Sequence, residues 1–256
     1  MSTLSRIVLI VCALAVSTSL CGLGYWQLQR LERKENLIAN VNDRLRGAPL
    51  PLAEIETRFL QSSDVDYAPV VLAGVFDHSQ EMFFFTTHEG QSGWNVFVPL
   101  KLQAGRVVIV NRGFVPAALK LQNTRRQGLV TGLQTIEGLA RNPDVHAPNA
   151  MIPENEPEKR IFFWKSLSQM ALAAKLEADA VVPFFVDAGP AANPGGWPKG
   201  GTTIIAFTNN HLQYALTWLG LAGACLGVCG FLLISKGNSR GAKGNSRGAK
   251  DNSRGG

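Results

Sequence analysis

The chain has 256 residues, of which 46% are hydrophobic and 17% charged, and its formal net charge is +6. This hydrophobic content excludes a disordered protein or a coiled coil as the whole chain. No charged residue lies between Arg6 and Arg30 or between Lys199 and Lys236, and each gap holds an apolar run close to the roughly 20 residues that a helix needs to cross a bilayer. The composition therefore indicates a membrane protein with two spans.

The positive excess lies at the two ends of the chain. Arg6 contributes one charge, and residues 236–256 carry six lysines and arginines against the single acid Asp251. The middle of the chain is balanced and has no basic stripe, so nucleic acid is not expected as a partner. Basic residues flanking a span favour the cytoplasm, which places both termini there and the middle outside, although five basic residues between 30 and 46 oppose this orientation.

The apolar runs divide the chain into five predicted segments. These are a cytoplasmic N-terminus (1–6), a first transmembrane helix (7–25), a periplasmic β-rich domain (26–209), a second transmembrane helix with its entrance (210–234) and a basic, disordered cytoplasmic tail (235–256) that holds anionic lipid. The first run resembles a signal peptide but ends in the interfacial pair Tyr25-Trp26, which favours an uncleaved anchor. Insertion begins too early for a mitochondrial transit peptide, so we expect a multi-pass protein of a bacterial inner (plasma) membrane.

Between the spans, the pattern predicts one helix followed by a series of strands. The first helix continues out of the membrane and ends near Pro49. Short apolar or alternating runs predict strands at 67–76, 81–89, 94–102, 106–115, 131–139 and 180–188, with a long loop at 141–160, a helix at 166–178 and a turn-rich segment at 189–202. The expected fold class is α+β: two antiparallel transmembrane helices flanking a large β-rich domain, an antiparallel sheet or barrel.

All four cysteines lie in the apolar runs, at positions 12, 21, 225 and 229. The large domain therefore has neither a disulfide nor a thiolate metal site. Cys225 and Cys229 share one helix face at a spacing that could bind a soft metal such as copper, but packing between helices is the favoured interpretation.

No motif of a known catalytic class is present, so we expect a protein that is not an enzyme. His78, Glu81, His88 and Glu89 surround one predicted strand and could form a metal site. The favoured interpretation is that they are exposed turn and strand-end residues. His146 lies in the predicted loop among prolines and acids, where a solvated side chain is expected.

The entrance of the second span carries the most distinctive polar group. His211, Tyr214 and Trp218 share one side of the predicted helix, because their spacings follow i, i+3 and i+7. Gly223 and Gly227 lie away from that side and would allow close approach of another helix. We expect this glycine face to pack against small residues of the first span, leaving the His211 face free. The small residues of the first span are Ala13, Ser17, Cys21 and Gly24.

Two interpretations of the His211 face are open. It is either a polar cap with an interfacial aromatic belt, or a haem site in which His211 ligates the iron and Tyr214 and Trp218 flank the macrocycle.

Several segments, in order, resemble the surfeit locus protein one family of cytochrome oxidase biogenesis factors. The matching residues are Gly24, Trp26, Gln27 and Arg30; Tyr67, Gly74 and Phe76; Gly93, Pro99, Leu100, Asn111, Arg112, Gly113, Phe114 and Pro116; and the segment 209–218. Phe114 stands where many relatives have Trp. The repeats at 236–256 lie outside the resemblance.

The resemblance implies an assembly factor for haem-copper cytochrome c oxidase, acting as a chaperone in respiratory complex IV biogenesis. It implies that haem a is bound transiently through His211 and passed to the catalytic subunit of the oxidase, with the haem a synthesis enzyme as a further partner. The alternative is a membrane scaffold that binds no cofactor and stabilises an oxidase subunit.

Arg112 carries a separate structural hypothesis. The apolar strand at 106–115 is expected to stop at Asn111-Arg112-Gly113, with Gly113 in a positive-φ turn. Arg112 then either anchors a loop through its planar fork or is exposed in the turn.

Overall fold

The computed structural model of the chain describes residues 2–203 and 209–248. The chain divides into two compact units, one formed by Met1–Ala39 with Ala206–Gly256 and the other by Asn40–Ile205. We call the first the helix pair and the second the barrel domain.

The helix pair consists of two long helices, α1 (Thr3–Leu45) and α4 (His211–Gly248). Each contains a stretch long and apolar enough to cross a membrane, within Thr3–Leu45 and His211–Ile234. The hydroxyl of Ser17 donates to the Ala222 carbonyl over 3.3 Å, and Cys225 Sγ lies 3.9 Å from the Ala13 carbonyl. Later residues of α1 thus meet earlier residues of α4, which confirms the antiparallel arrangement.

The C-terminal part of α4 differs from the expected disorder. The helix continues through Gly248, and residues 249–256 lie outside the described residues. Glycine, asparagine and serine are weak helix formers, so the composition of residues 236–248 did not predict that the helix continues there.

The last turns of α1 belong to the barrel domain, and the helix ends at Leu45, shortly before Pro49, as predicted. Two elements then follow that the sequence did not predict, strand β1 (Leu50–Pro51) and helix α2 (Leu52–Ser62). Helix α2 buries Ile55 and terminates at Ser63, which adopts the left-handed conformation. A strand of two residues has no detectable alternation, so it forms only because β2 is there to pair with it.

The barrel domain is built on one mixed sheet. Its further strands are β2 (Ala68–Phe76), β3 (Met82–His88), β4 (Gln91–Lys101), β5 (Val107–Pro116), β6 (Gln134–Arg141), β7 (Ile161–Phe162) and β8 (Phe185–Ala188). The strand order is β1-β2-β6-β8-β5-β4-β3-β7, and an additional pairing of β2 with β4 closes a ring of five strands. Three pairings are parallel (β1–β2, β3–β7 and β5–β8) and the others are antiparallel. The expected β-rich, barrel-like fold class is confirmed.

Strand β5 lies at the centre of the packing. Val108 and Val110 belong to one apolar cluster, whereas Ile109 belongs to a second cluster, because successive side chains of a strand point to opposite faces. The second cluster is covered by helix α3 (Leu167–Ala173), which buries Met170. Because both faces of β5 are buried, its sequence is a nearly continuous run of apolar residues.

Two predicted elements are shorter than expected. Helix α3 begins after Ser166, whose side chain caps the Gln169 amide, and it ends at Ala173 rather than 178. Strand β8 begins at Phe185 rather than 180, since Pro183 has no amide hydrogen to donate to a sheet ladder.

Candidate functional site

The helix pair contacts itself through a face of α4 that sequence reasoning had assigned to the outside. Ala215, Ala222 and Cys229 are buried, and all three lie on the same side of α4 as His211. In contrast, a Cβ built on Gly223 would have no atom within 4 Å. The expected orientation of α4 is therefore wrong. Alanine and cysteine are small enough to let α1 approach, so glycine was not required at this contact.

The contact surface of α1 was predicted more accurately. Ala13 and Ser17 are buried, and a Cβ on Gly24 would lie 3.1 Å from the side chain of Leu219. Cys21, the remaining member of the predicted seam, is exposed. Three of the four small residues thus face α4.

His211 forms the one side-chain to side-chain hydrogen bond that the described residues provide between α1 and α4. Its Nδ1 lies 2.8 Å from Oε1 of Gln27. Because an amide oxygen can only accept, Nδ1 is the donor in this bond, and in the neutral imidazole the lone pair is then on Nε2. The bond joins the two motif segments at opposite ends of the resemblance. Gln27 was among the matched residues, but its role was not predicted, because local patterns cannot show a contact across 184 positions.

Tyr214 and Trp218 do not share one environment. Tyr214 is 54% exposed, whereas Trp218 is partly buried on the contact side. Cys225 is partly covered and close to the Ala13 carbonyl. The described residues contain no group of three or more metal-ligating side chains, and the two cysteines take part in helix packing.

The four polar residues around β3 do not form a site. Glu81 is buried and receives two hydrogen bonds from Arg125, of 3.0 and 2.5 Å, so its expected exposure is wrong. His78 Nε2 lies 2.8 Å from the Val130 carbonyl, and burial lowers the pKa of His78. His88 packs against the Phe114 ring, and Glu89 remains exposed as expected. His146 is exposed, as predicted.

Arg112 anchors loops and is only 2% exposed. It donates to the Gly128 carbonyl over 2.8 Å and to Asn193 Oδ1 over 2.6 Å, and it lies 4.8 Å from the centroid of the Phe76 ring. Of the two interpretations, the loop anchor is confirmed. The expected turn is wrong, because β5 continues to Pro116.

Gly113 explains why the strand does not stop. It has a φ of 114° within β5, and a Cβ there would lie 2.0 Å from the Lys199 carbonyl oxygen. The neighbouring Phe114 exchanges two backbone hydrogen bonds of 2.9 Å with Lys199. The glycine thus allows a returning segment to pair closely with β5.

These features define a class of protein, a β-barrel domain that lies in the chain between two long helices, each apolar enough to cross a membrane. The chain belongs to the SURF1 family, whose family model matches residues 14–223. The resemblance inferred from the sequence motifs is thereby confirmed.

Curated relatives match over most of their length. The chain is 33% identical to Surfeit locus protein 1 of Homo sapiens over 82% of this chain and 73% of that protein. It is also 33% identical to a SURF1-like protein of Monosiga brevicollis, over 89% and 88%, respectively. A SURF1-like protein of Caenorhabditis elegans is 27% identical over 78% of this chain and 66% of that protein.

Proposed function

We propose that this protein is a membrane-bound assembly factor for a haem-copper cytochrome c oxidase, and that it binds haem a for insertion into the catalytic subunit. Membership of the SURF1 family supports the role in oxidase assembly. The observation that carries the haem proposal is the hydrogen bond between His211 and Gln27. It converts an imidazole at a membrane helix end into an oriented group with one nitrogen available.

The hydrogen bond prepares His211 as a metal ligand. Histidines that bind metals usually donate their other ring N–H to a carbonyl or carboxylate, which fixes the tautomer and the direction of the ring. Gln27 Oε1 has this relation to Nδ1, and the described residues provide no hydrogen-bond partner for Nε2. The donor set therefore fits haem iron, with Nε2 as the ligand atom.

The surroundings of His211 suit temporary binding. Bound haem would supply an iron centre with one protein ligand and a second coordination position for the recipient. His211 is the only histidine in either span, so the helix pair contains no second imidazole to retain the group. Tyr214 offers an exposed ring about one turn along α4 from the ligand, and Trp218 lies partly buried on the contact side.

The charge pattern supports an orientation for this activity. Basic residues at both ends of the chain favour cytoplasmic termini in a bacterial inner membrane, with the barrel domain in the periplasm. His211 would then lie near the outer surface. The proposed partners are the oxidase catalytic subunit and the haem a synthesis enzyme.

The proposal is tested by the haem content of variants. The full chain is purified from cells that make haem a, and haem is quantified from the absorption spectrum per inserted protein. We expect His211→Ala to abolish copurifying haem. Gln27→Ala should weaken haem retention by about 10- to 100-fold, because it removes the group that orients the ligand. Gln213→Ala, an exposed glutamine on α4, is the matched control and should retain haem.

Two further variants address the cysteines. Cys225→Ala and Cys229→Ala should keep full haem content, since both residues pack against α1. Full occupancy in His211→Ala would contradict the ligand role, and haem loss confined to the cysteine variants would favour the metal interpretation.

A second candidate function is a scaffold that binds an oxidase subunit and no cofactor. The open surface of α4 favours it, because Cβ atoms on Gly220, Gly223 and Gly227 would meet nothing within 4 Å and another helix could approach there. In the same purification, copurification of the catalytic subunit from every variant, without haem in any of them, would support the scaffold instead.

A further inference from the structure

Arg112 is a buried cation, and its direct contacts with the described residues are all with neutral groups. Its guanidinium meets the Gly128 carbonyl, the Asn193 amide oxygen and the Phe76 ring. Among the described residues, no carboxylate forms an ion pair with it. A buried charge without a partner of opposite sign is costly. An anion bound beside Arg112 would therefore be stabilised by the guanidinium charge.

The neighbouring charged groups do not provide that anion. Glu81 acts on Arg112 through its charge, but both of its oxygens accept hydrogen bonds from Arg125. Arg112, Arg125 and Glu81 together therefore have a net charge of +1. Burial lowers the pKa of Arg112 to about 10, so the guanidinium remains charged at neutral pH. Arg141 illustrates the opposite case, since it pairs with two aspartates.

Arg112 lines a cavity of about 220 Å³ in the barrel domain. Much of the wall is apolar, contributed by Phe76, Val130, Ile136, Ala188, Ala192 and Pro194. Gln134 and Thr135 add polar groups, and the exposed Glu137 also lines the cavity. The space suits a molecule with a short hydrocarbon part, and the buried cation suits one negative charge.

We propose that Arg112 and the walls of this cavity bind the carboxylate group of a small organic acid with an apolar tail. The guanidinium is planar and presents five donors, of which two have acceptors among the described residues, which leaves donors for a carboxylate. The site is also held in place, because Asn193 donates to the Pro198 carbonyl while accepting from Arg112. This proposal is independent of the haem proposal, as it concerns only the barrel domain.

The test compares an acid with its neutral counterpart on the full chain in detergent. Hexanoate and hexanamide are titrated, and binding is followed by ligand-observed NMR. We expect hexanoate to bind at least tenfold more tightly, because hydrogen bonds to a charged acceptor are stronger than bonds to a neutral one. Equal binding of the two molecules, or no binding of hexanoate at about 10 mM, would overturn the proposal.

Variants locate the site and separate it from a folding effect. Arg112→Met should abolish the preference for hexanoate, while Arg126→Met, an exposed arginine outside this cavity, should leave it unchanged. Ala192→Phe fills the cavity from an exposed wall position and should remove binding with Arg112 intact. It keeps the test decisive if Arg112→Met does not fold. Glu137→Gln should tighten binding, since it removes a like charge. Hexanoate binding that survives Ala192→Phe would refute this location.

Discussion

The barrel domain and the helix pair satisfy their buried polar groups in different ways. In the barrel domain, charged side chains bond partners far away in the sequence, such as Arg125 with Glu81 and Asn111 with Asp187. In the helix pair, small residues make the contact, and Ser17 adds a hydroxyl bond to a helix carbonyl. The barrel thus depends on specific pairs, whereas the helix pair depends on close approach and, among the described residues, on one bond between two side chains, that of Gln27 with His211.

This difference has a consequence for where substitutions should matter. Removing one member of a buried charge pair leaves an uncompensated charge, which costs far more than losing a neutral hydrogen bond. Polar substitutions should therefore affect the stability of the barrel domain strongly and that of the helix pair weakly. Under the proposed function, haem binding should show the reverse pattern, because His211 lies in the helix pair.

The largest effect is expected for Arg125→Met. It leaves the Glu81 carboxylate, which is 4% exposed, without its partner, and should lower the free energy of unfolding by about 3–5 kcal/mol. Ser17→Ala in the helix pair should cost less than about 1.5 kcal/mol. Denaturant unfolding of the full chain, followed by tryptophan fluorescence, measures both. The double variant Arg125→Met with Glu81→Leu should recover much of the loss, and equal losses in the single and double variants would contradict the pairing argument.

The next largest effect is the difference in stability between alanine substitutions at two glycines, Gly113 and Gly223. Gly113→Ala places a Cβ against the Lys199 carbonyl in a conformation that alanine avoids, and should cost about 2–3 kcal/mol. Gly223→Ala, in open space on α4, should be neutral or stabilise the helix by up to about 1 kcal/mol. Thermal unfolding of the two variants and the wild type measures the change in stability that each substitution causes. A loss of stability at Gly223 similar to that at Gly113 would show that the α4 surface is covered within the protein.

The sequence predicted the larger features of the fold because their signals are local. Apolar runs indicated both membrane helices, and alternating patterns indicated most strands of the barrel. The two-residue strands β1 and β7 were missed, because they exist only through pairing with β2 and β3. The strand predicted at 106–115 matches β5 to within one residue at each end, but Gly113 was interpreted as a turn, although its positive φ lets the segment around Lys199 pair closely with β5.

The functional role of the candidate site residues stays a prediction, whereas their geometry in the structure differs from the expected one. His211 was identified, yet the orientation of α4 was reversed, since small residues occur on two of its faces and only the partner decides which face packs. Gln27 had no assigned role, because local patterns cannot show its contact with His211, 184 positions away. The burial of Glu81 was also missed, because its partner Arg125 lies 44 positions away. Charged residues near turns are usually exposed, and only the folded chain reveals the exception.

The smallest effect concerns Asp77, at the edge of the barrel domain, and it tests whether exposed pairs follow the same rule as buried ones. A hydrogen bond from Lys101, together with one from Ser79, holds the pKa of Asp77 below its ordinary value of 3.8. Since folding lowers this pKa, the ionised carboxylate stabilises the protein above pH 3.8, and the contribution is lost as the pH falls through the folded value.

Lys101→Met should remove less than about 1 kcal/mol at pH 7, because the Lys101 side chain is 57% exposed and water screens the pair. The loss should shrink at pH values below the folded pKa, where Asp77 is protonated in both proteins. Urea midpoints of the wild type and the variant at neutral and acidic pH measure the difference. A loss as large as that of Arg125→Met, or one that does not change with pH, would mean that burial does not separate strong from weak pairs in this domain.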